Sequence, residues 1–200
     1  AQRGRYLGMM AEQAKRMQRL VEDLLTLSAL ESSAAPADEH PIEVRPFVER
    51  LADEARALSA GRHRVESEVE GDSRLLGSAA ELHSALSNLV SNAVRYTPEG
   101  GTVRLAWRLA DGAGVFSVSD SGIGIEARHI PRLTERFYRV DSGRSRETGG
   151  TGLGLAIVKH ALTRHQAALD VVSELGRGST FSAVFPPGRV LPPGEEQEAA

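Results

Sequence analysis

Two glycine clusters constrain this chain more than any other feature. Asp120-Ser121-Gly122-Ile123-Gly124 opens a stretch that Gly149-Gly150-Thr151-Gly152-Leu153-Gly154-Leu155 closes. Glycine takes positive φ angles and lets other groups approach the backbone, so such a chain folds around two tight, open turns. The second cluster runs straight into an apolar, helix-like segment, Leu153 to Leu162. A glycine-rich turn that opens a helix presents free N–H groups and the positive end of a dipole, which suits phosphate. Between the clusters lie Arg136-Phe137-Tyr138-Arg139 and a polar segment from Asp141 to Thr148. Together they read as a nucleotide site with a mobile lid. Neither common phosphate motif fits. No lysine stands where a P-loop needs one, and Gly122-x-Gly124 lacks the third glycine of the dinucleotide fingerprint.

The 200 residues carry a net charge of −3 and are 40% hydrophobic, which suits one full domain with a helical appendage. That balance gives no sign of a nucleic-acid surface. There is no cysteine, so disulfides and thiolate metal sites are excluded, and the six histidines lack metal-ligand spacing. No apolar run is long enough to span a membrane, so membrane attachment is expected only through upstream segments. The chain begins Ala1-Gln2-Arg3 without an initiator methionine and reads as a piece of something longer.

From Tyr6 to Leu30, apolar residues fall at Leu7, Met10, Ala14, Met17, Val21 and Leu24, a heptad seam that Leu20 and Leu27 widen. Such a stripe needs burial, either on its own domain or in a helical hairpin pairing with another chain, and the regular seam favours the hairpin. Ser32 to Pro41 reads as a linker. A strand near Ile42–Val44, a helix from Pro46 to Leu58, and strands at Arg64–Val69 and Leu75-Leu76 follow. Ala79 to Tyr96 is a helix with a buried stripe of Leu82, Leu86, Leu89, Val90, Ala93 and Val94. Asn88 and Asn92, four apart, share a face beside it. Asparagine is a poor helix former, so a pair at this spacing suggests a polar task. Thr102–Leu109 and Gly114–Asp120 read as a hairpin turning at Asp111-Gly112. A helix from Gly152 to about His165 and a second hairpin, Ala168–Ser173 with Ser179–Phe185, complete the fold. From Pro186 the composition turns to Pro, Gly and Glu and predicts a disordered tail.

In this order the motifs resemble the ATP-binding domain of sensor histidine kinases, within the wider group that includes gyrase, Hsp90 and MutL. Asn88-Leu89-Val90-Ser91-Asn92-Ala93 is similar to the N box and Asp120 to Gly124 to the G1 box. Glu135-Arg136-Phe137-Tyr138-Arg139 is similar to the F box, and Gly150 to Leu155 to the G2 box. The segment Ile130 to Asp141 looks like that of the phosphate-sensing members, and Val21 to Ser28 resembles the second helix of their dimerisation and phosphoacceptor hairpin.

The resemblance implies an α+β fold, a two-layer α/β sandwich of the Bergerat type, with a mixed sheet covered on one face by helices. It implies a hairpin helix over 1–33, a linker over 34–41, an ATP-binding domain over 42–186 and a tail over 187–200. Asp120 would accept the adenine amino group, with Gly122 and Gly124 close to the base and Tyr96 and Thr180 lining its pocket. Asn92, supported by Asn88, would hold Mg²⁺. Arg95, Arg136 and Arg139 would meet phosphates or the lid. Thr151, Gly152, Leu153, Gly154 and Leu155 would hold the β and γ phosphates. Lys159 reads as a surface residue, and His160 and His165 as surface or packing residues.

The family's nucleophile is a histidine in a His-Glu-Leu-Arg-Thr-Pro-like run. None of His40, His63, His83, His129, His160 and His165 has those neighbours. No phosphoacceptor is therefore expected here. The implied partners are the chain's own hairpin in a homodimer and a response regulator. The implied location is the cytoplasmic side of a bacterial inner membrane. Two other readings share the fold. One is a serine kinase of the anti-sigma-factor type, against which the heptad helix and the Arg-Phe-Tyr-Arg segment count. The other is a non-catalytic ATP-dependent switch, against which the full set of boxes counts.

Overall fold

Apolar and polar side chains alternate along Thr102–Ala110 and Ala113–Asp120, and the computed structural model pairs these segments as an antiparallel hairpin. Asp111 and Gly112 turn it with φ of 52° and 77°, the positive angles that a two-residue turn of this hand requires. Residues 2–32, 35–36, 38–140 and 150–194 are described. Among them the helices are α1 (Gln2–Glu31), α2 (Val44–Ser59), α3 (Ala79–Tyr96) and α4 (Gly154–Arg164). The strands are β1 (His40–Glu43), β2 (Arg64–Val69), β3 (Arg74–Gly77), β4 (Thr102–Ala110), β5 (Ala113–Asp120), β6 (Ala168–Glu174), β7 (Gly178–Phe185) and β8 (Val190–Leu191). Short 3-10 turns occupy Ala127–Arg132 and Pro187–Arg189.

The main sheet has the order β2-β4-β5-β7-β6, with β2 parallel to β4 and the other pairs antiparallel. Because side chains alternate, Val103, Leu105, Trp107, Phe116, Val118, Phe181, Ala183 and Phe185 point to one face and are buried there. Against them lie Leu51 of α2, Leu86, Leu89 and Val90 of α3, and Ile157 and Leu162 of α4. The result is the expected two-layer sandwich on a mixed sheet. The stripe expected on α3 is buried at every one of its positions.

α3 and α4 run antiparallel and are tied near one end. His165, fully buried, accepts the Ser78 N–H at Nε2 (3.0 Å) and donates from Nδ1 to the Ala161 carbonyl (2.7 Å). Arg164 grips Glu81 with two 2.9 Å bonds, and donates also to the carbonyls of Leu30 (3.1 Å) and Ala35 (2.6 Å). It therefore joins both helices to the end of α1 and to the chain that follows it.

Two expectations need correction. The segment after Pro186 is structured as far as residue 194: Arg189 is buried and pairs with Glu39, and β8 adds to β3 with Val190 opposite Leu75. A count of Pro, Gly and Glu overlooked two apolar residues that complete a small sheet of order β1-β3-β8. β1 also begins at His40, inside the expected linker, because His40 and Pro41 pair with Gly77 and Leu76. Pro41 is tolerated there because β1 is an edge strand. Along α1, Leu27 and Leu30 are buried, whereas Leu7, Met10, Ala14, Met17, Val21 and Leu24 of the seam are exposed.

Burial lowers the His165 pKa from the ordinary 6.5, outweighing the bond to Ala161 and the nearby Glu81 charge, which raise it. In the unfolded chain the ring takes up its proton near the ordinary value, and in the folded chain only at lower pH. Its contribution to stability is therefore complete above 6.5 and lost as pH falls below that value. Thermal denaturation followed from about pH 7.5 to about pH 5 should show this loss. His165→Gln, which cannot titrate, should start less stable and lose less. Equal losses in both proteins would exclude His165 as the source.

Candidate nucleotide-binding site

The C-terminal half of α3 is the spine of the site, running about 12 Å along its axis from Asn88 to Tyr96. Both glycine turns press against it. At the Tyr96 end, the Ile123 N–H donates to the Tyr96 carbonyl (3.3 Å). A Cβ added to Gly122 would stand 2.5 Å from that carbonyl oxygen and 2.5 Å from Asp120 Oδ1. One residue back, Arg95 Nη1 lies 3.2 Å from where a Cβ on Gly150 would stand. At the far end Asn88 faces Gly154. The expected N, G1 and G2 residues are thus brought onto one helix.

Asp120 ends β5. Its Oδ1 accepts the Gly122 N–H (2.8 Å), and the Ser179 N–H also donates to the carboxyl. Burial raises its pKa, and the two N–H bonds oppose that rise without cancelling it. A half-buried carboxylate with acceptor capacity to spare suits an amino donor such as that of adenine, and a carbonyl in the same place would be rejected. Gly124 has φ of +66° and abuts the Glu174 backbone, where no side chain fits. The Gly176 N–H donates to the Ile123 carbonyl (2.8 Å), and the Ile125 N–H to Ser173 Oγ (2.8 Å), so the β6–β7 hairpin anchors this turn.

In the second turn Gly152 has φ of +76°, and a Cβ there would stand 2.9 Å from Phe137 Cα. The Phe137 N–H donates to the Gly152 carbonyl (2.9 Å). Phe137 itself has φ of +62°, a strained angle for a bulky residue and a mark of an over-determined position. Leu153 is buried, Leu155 packs against the core, and the Leu153 N–H donates to Thr151 Oγ1 (3.3 Å). Asn92 is half-buried, and its amide makes no hydrogen bond among the described residues. Its oxygen is thus available to a hard cation. Asn88 instead donates from Nδ2 to the Ser84 carbonyl (2.8 Å).

Two findings depart from the sequence reading. Thr180 does not share a face with Asp120. It lies opposite Ser119, with the two hydroxyl oxygens 2.9 Å apart on the uncovered side of the sheet. Ser179 is the residue paired with Asp120, and its hydroxyl meets Ser173 Oγ at 2.9 Å. Parity carried that signal, since Phe181, Ala183 and Phe185 put odd-numbered residues on the covered face. The second departure comes from α1. Asp23 accepts the Thr151 hydroxyl (2.6 Å), and Glu31 pairs with Arg136 and lies 3.3 Å from His160 Nε2. Of the two arginines of the Arg-Phe-Tyr-Arg segment, Arg136 is turned to α1 and Arg139 is half-buried after the Phe137 turn. The expected lid, Asp141 to Thr148, lies outside the described residues.

Comparison with known proteins places the fold in a family. The model of the histidine kinase-, DNA gyrase B- and HSP90-like ATPase family matches residues 77–189. The phosphate regulon sensor protein PhoR of Pseudomonas aeruginosa is 51% identical over 187 residues, which cover 93% of this chain and 42% of that protein. The sensor-like histidine kinase SenX3 of Mycolicibacterium smegmatis is 36% identical over 183 residues, covering 91% and 48%. Full-length ShkA, solved in complex with AMPPNP, superimposes with a TM-score of 0.81 at 27% identity, over 100% of this chain and 41% of that one. The mycobacterial sensor histidine kinase MprB gives a TM-score of 0.67 at 25% identity, over 78% and 100%. The chain spans less than half the length of these curated relatives.

A raised carboxyl pKa carries a definite sign. The unfolded acid ionises more readily than the folded one, so stability falls as pH rises through the window between them, and at neutral pH the buried charge works against folding. Asp120→Asn should therefore melt at a higher temperature than the wild type near neutral pH without ligand. The same substitution should weaken adenine-nucleotide binding by about ten- to a hundredfold, the worth of a charge-assisted bond. Calorimetric titration showing unchanged affinity would remove Asp120 from the site.

Proposed function

The chain belongs to the histidine kinase-, DNA gyrase B- and HSP90-like ATPase family, and on that premise we propose that it is the ATP-binding catalytic portion of a two-component sensor histidine kinase. Its reaction is transfer of the ATP γ-phosphoryl group to a histidine, for relay to an aspartate of a response regulator. One observation carries this reading: a single helix, α3, is held at one end by the turn that bears Asp120 and at the other by the turn that opens α4.

In this reading adenine donates its amino group to Asp120 beside Tyr96, and the phosphates extend along α3 toward Gly154. The free N–H groups at the start of α4 and the dipole behind them receive the β and γ phosphates. Arg95, beside Gly150, adds a cation near the phosphate path. The uncommitted oxygen of Asn92 fits Mg²⁺, which when bound supplies charge neutralisation. Phosphoryl transfer rests mostly on such positioning and charge, so the residues bind and orient while the nucleophile comes from elsewhere. α1 is the second helix of a dimerisation hairpin, and its exposed seam is the surface that pairs with the rest of that hairpin in a homodimer. The likeness to PhoR supports phosphate sensing as the pathway and the cytoplasmic side of a bacterial inner membrane as the location.

Calorimetry should detect ATP binding to the chain. Incubated with labelled ATP and a separately supplied histidine-bearing hairpin, it should label the hairpin with acid-labile phosphate and leave itself unlabelled. Stoichiometric phosphohistidine on the 200-residue chain would overturn this assignment. Asn92→Ala should weaken Mg-ATP binding more than binding of metal-free ATP. Equal weakening of the two would assign Asn92 a structural role.

A further inference from the structure

The two asparagines of α3 are equal in the sequence but not in the fold. Asn92 leaves its amide uncommitted, whereas Asn88 donates Nδ2 to the Ser84 carbonyl (2.8 Å). A carbonyl can only accept, so the NH₂ group must face Ser84, and this fixes the amide with its oxygen aimed outward. That oxygen meets the first residue of α4. A Cβ on Gly154 would stand 2.5 Å from Asn88 Oδ1, 3.2 Å from Cγ and 3.7 Å from Cβ, and these three atoms are the nearest.

Gly154 is therefore a glycine for a different reason from its neighbours. Gly152 needs its positive φ of +76°, as Gly124 needs its +66°. Gly154 has no positive φ, and its helical backbone would suit any residue. The nearest obstacle to a side chain among the described residues is Asn88.

From this contact we infer that Asn88 is a positioning residue rather than a metal ligand: its side-chain oxygen sets where the N-terminus of α4 stands. The inference rests on the proposed ATP-binding function, since the N–H groups of that helix end are the phosphate donors. Such donors must be held to within about 0.5 Å to be effective. A methyl group inserted between Gly154 and Asn88 displaces the helix start by more than that, unless the asparagine gives way. The asparagines at i and i+4 thus divide the work. Asn92 offers an oxygen to the cation, and Asn88 uses its own to place the backbone that meets the phosphates.

The test is a double-mutant cycle on the whole chain, with Asn88→Ala, Gly154→Ala and the combined variant. Each is titrated calorimetrically with Mg-ATP, metal-free ATP and adenosine. Gly154→Ala should weaken Mg-ATP by at least about tenfold, as overpacking of a tight contact implies. It should leave adenosine affinity nearly unchanged, because Asp120 and Tyr96 lie at the other end of α3. Adding Asn88→Ala, which removes the obstructing oxygen, should restore most of the lost Mg-ATP affinity. Asn88→Ala alone should keep the wild-type ratio of Mg-ATP to metal-free affinity, unlike Asn92→Ala. Effects that simply multiply in the combined variant, or a selective loss of Mg-ATP binding in Asn88→Ala, would overturn the inference. If Gly154→Ala does not fold, the metal ratio of Asn88→Ala decides alone. If the wild type binds no ATP, the proposed function falls. The joint is then judged by melting temperature, where Asn88→Ala should rescue Gly154→Ala and failure to do so refutes it.

Discussion

The antiparallel packing of α4 on α3 is pinned at three heights: His165 against Ser78, Arg164 against Glu81, and Gly154 against Asn88. The first two act by attraction and the third by contact. Glu81 lies in the first turn of α3 and Arg164 in the last turn of α4, so each charge also suits the dipole end on which it sits. Both are largely removed from water, and truncating one partner of such a pair costs about 3–5 kcal/mol because the other charge is stranded. The site depends on this pairing. On the proposed function, α3 would supply the cation ligand and the base end, and α4 the helix start for phosphate. The separation of the two helices is therefore the separation of their tasks.

Asp120 shows what that arrangement costs. Its carboxyl sits where burial works against ionisation, and two backbone N–H groups recover only part of the loss. Phe137, held at a left-handed angle against Gly152, is a second local strain close to the same ligand path. Neither feature helps the empty fold. Both make sense if the compensation arrives with the ligand, as an amino group for the carboxylate and phosphates for the glycine backbone. Rigid scaffold and unfavourable site are thus separated in space: the sheet and paired helices carry the stability, and the two turns spend some of it.

Much of this was readable before any coordinates. The α3 stripe repeats every three to four residues from Leu82 to Val94, and the Asp111-Gly112 turn has the residues its geometry demands, so both elements fell where the sequence pattern put them. Local signals also marked both glycine clusters of the candidate site, though not Gly77, which abuts the His165 ring. They could not tell why each glycine is there, because Gly152 answers to its own φ and Gly154 to a side chain more than sixty positions away. Thr180 was misplaced for a related reason. Its face depends on register with β5, and composition within β7 offers Ser179 and Thr180 as near equals until Phe181, Ala183 and Phe185 are counted inward. Val190 and Leu191 were lost in a polar tail because two residues make no pattern alone and become a strand only on β3.

The least readable feature was the reach of α1 into the site, since its acids looked like ordinary solvated charges beside a seam. In the fold, Asp23 accepts a hydrogen bond from the Thr151 hydroxyl, and Glu31 engages Arg136. A hydroxyl has one proton to give, so Thr151 cannot donate to Asp23 and to a phosphate at once. A guanidinium has five N–H donors, so Arg136 is under no such restriction. On the proposed function the two contacts would differ in kind: Glu31 and a phosphate could share Arg136, whereas Asp23 and a phosphate would compete for Thr151. Arg164 fixes the C-terminal end of α1 through the Leu30 carbonyl, and the Asp23 contact lies upstream of Leu27, where Leu20 still packs against the core while Val21, Leu24 and Leu25 are exposed.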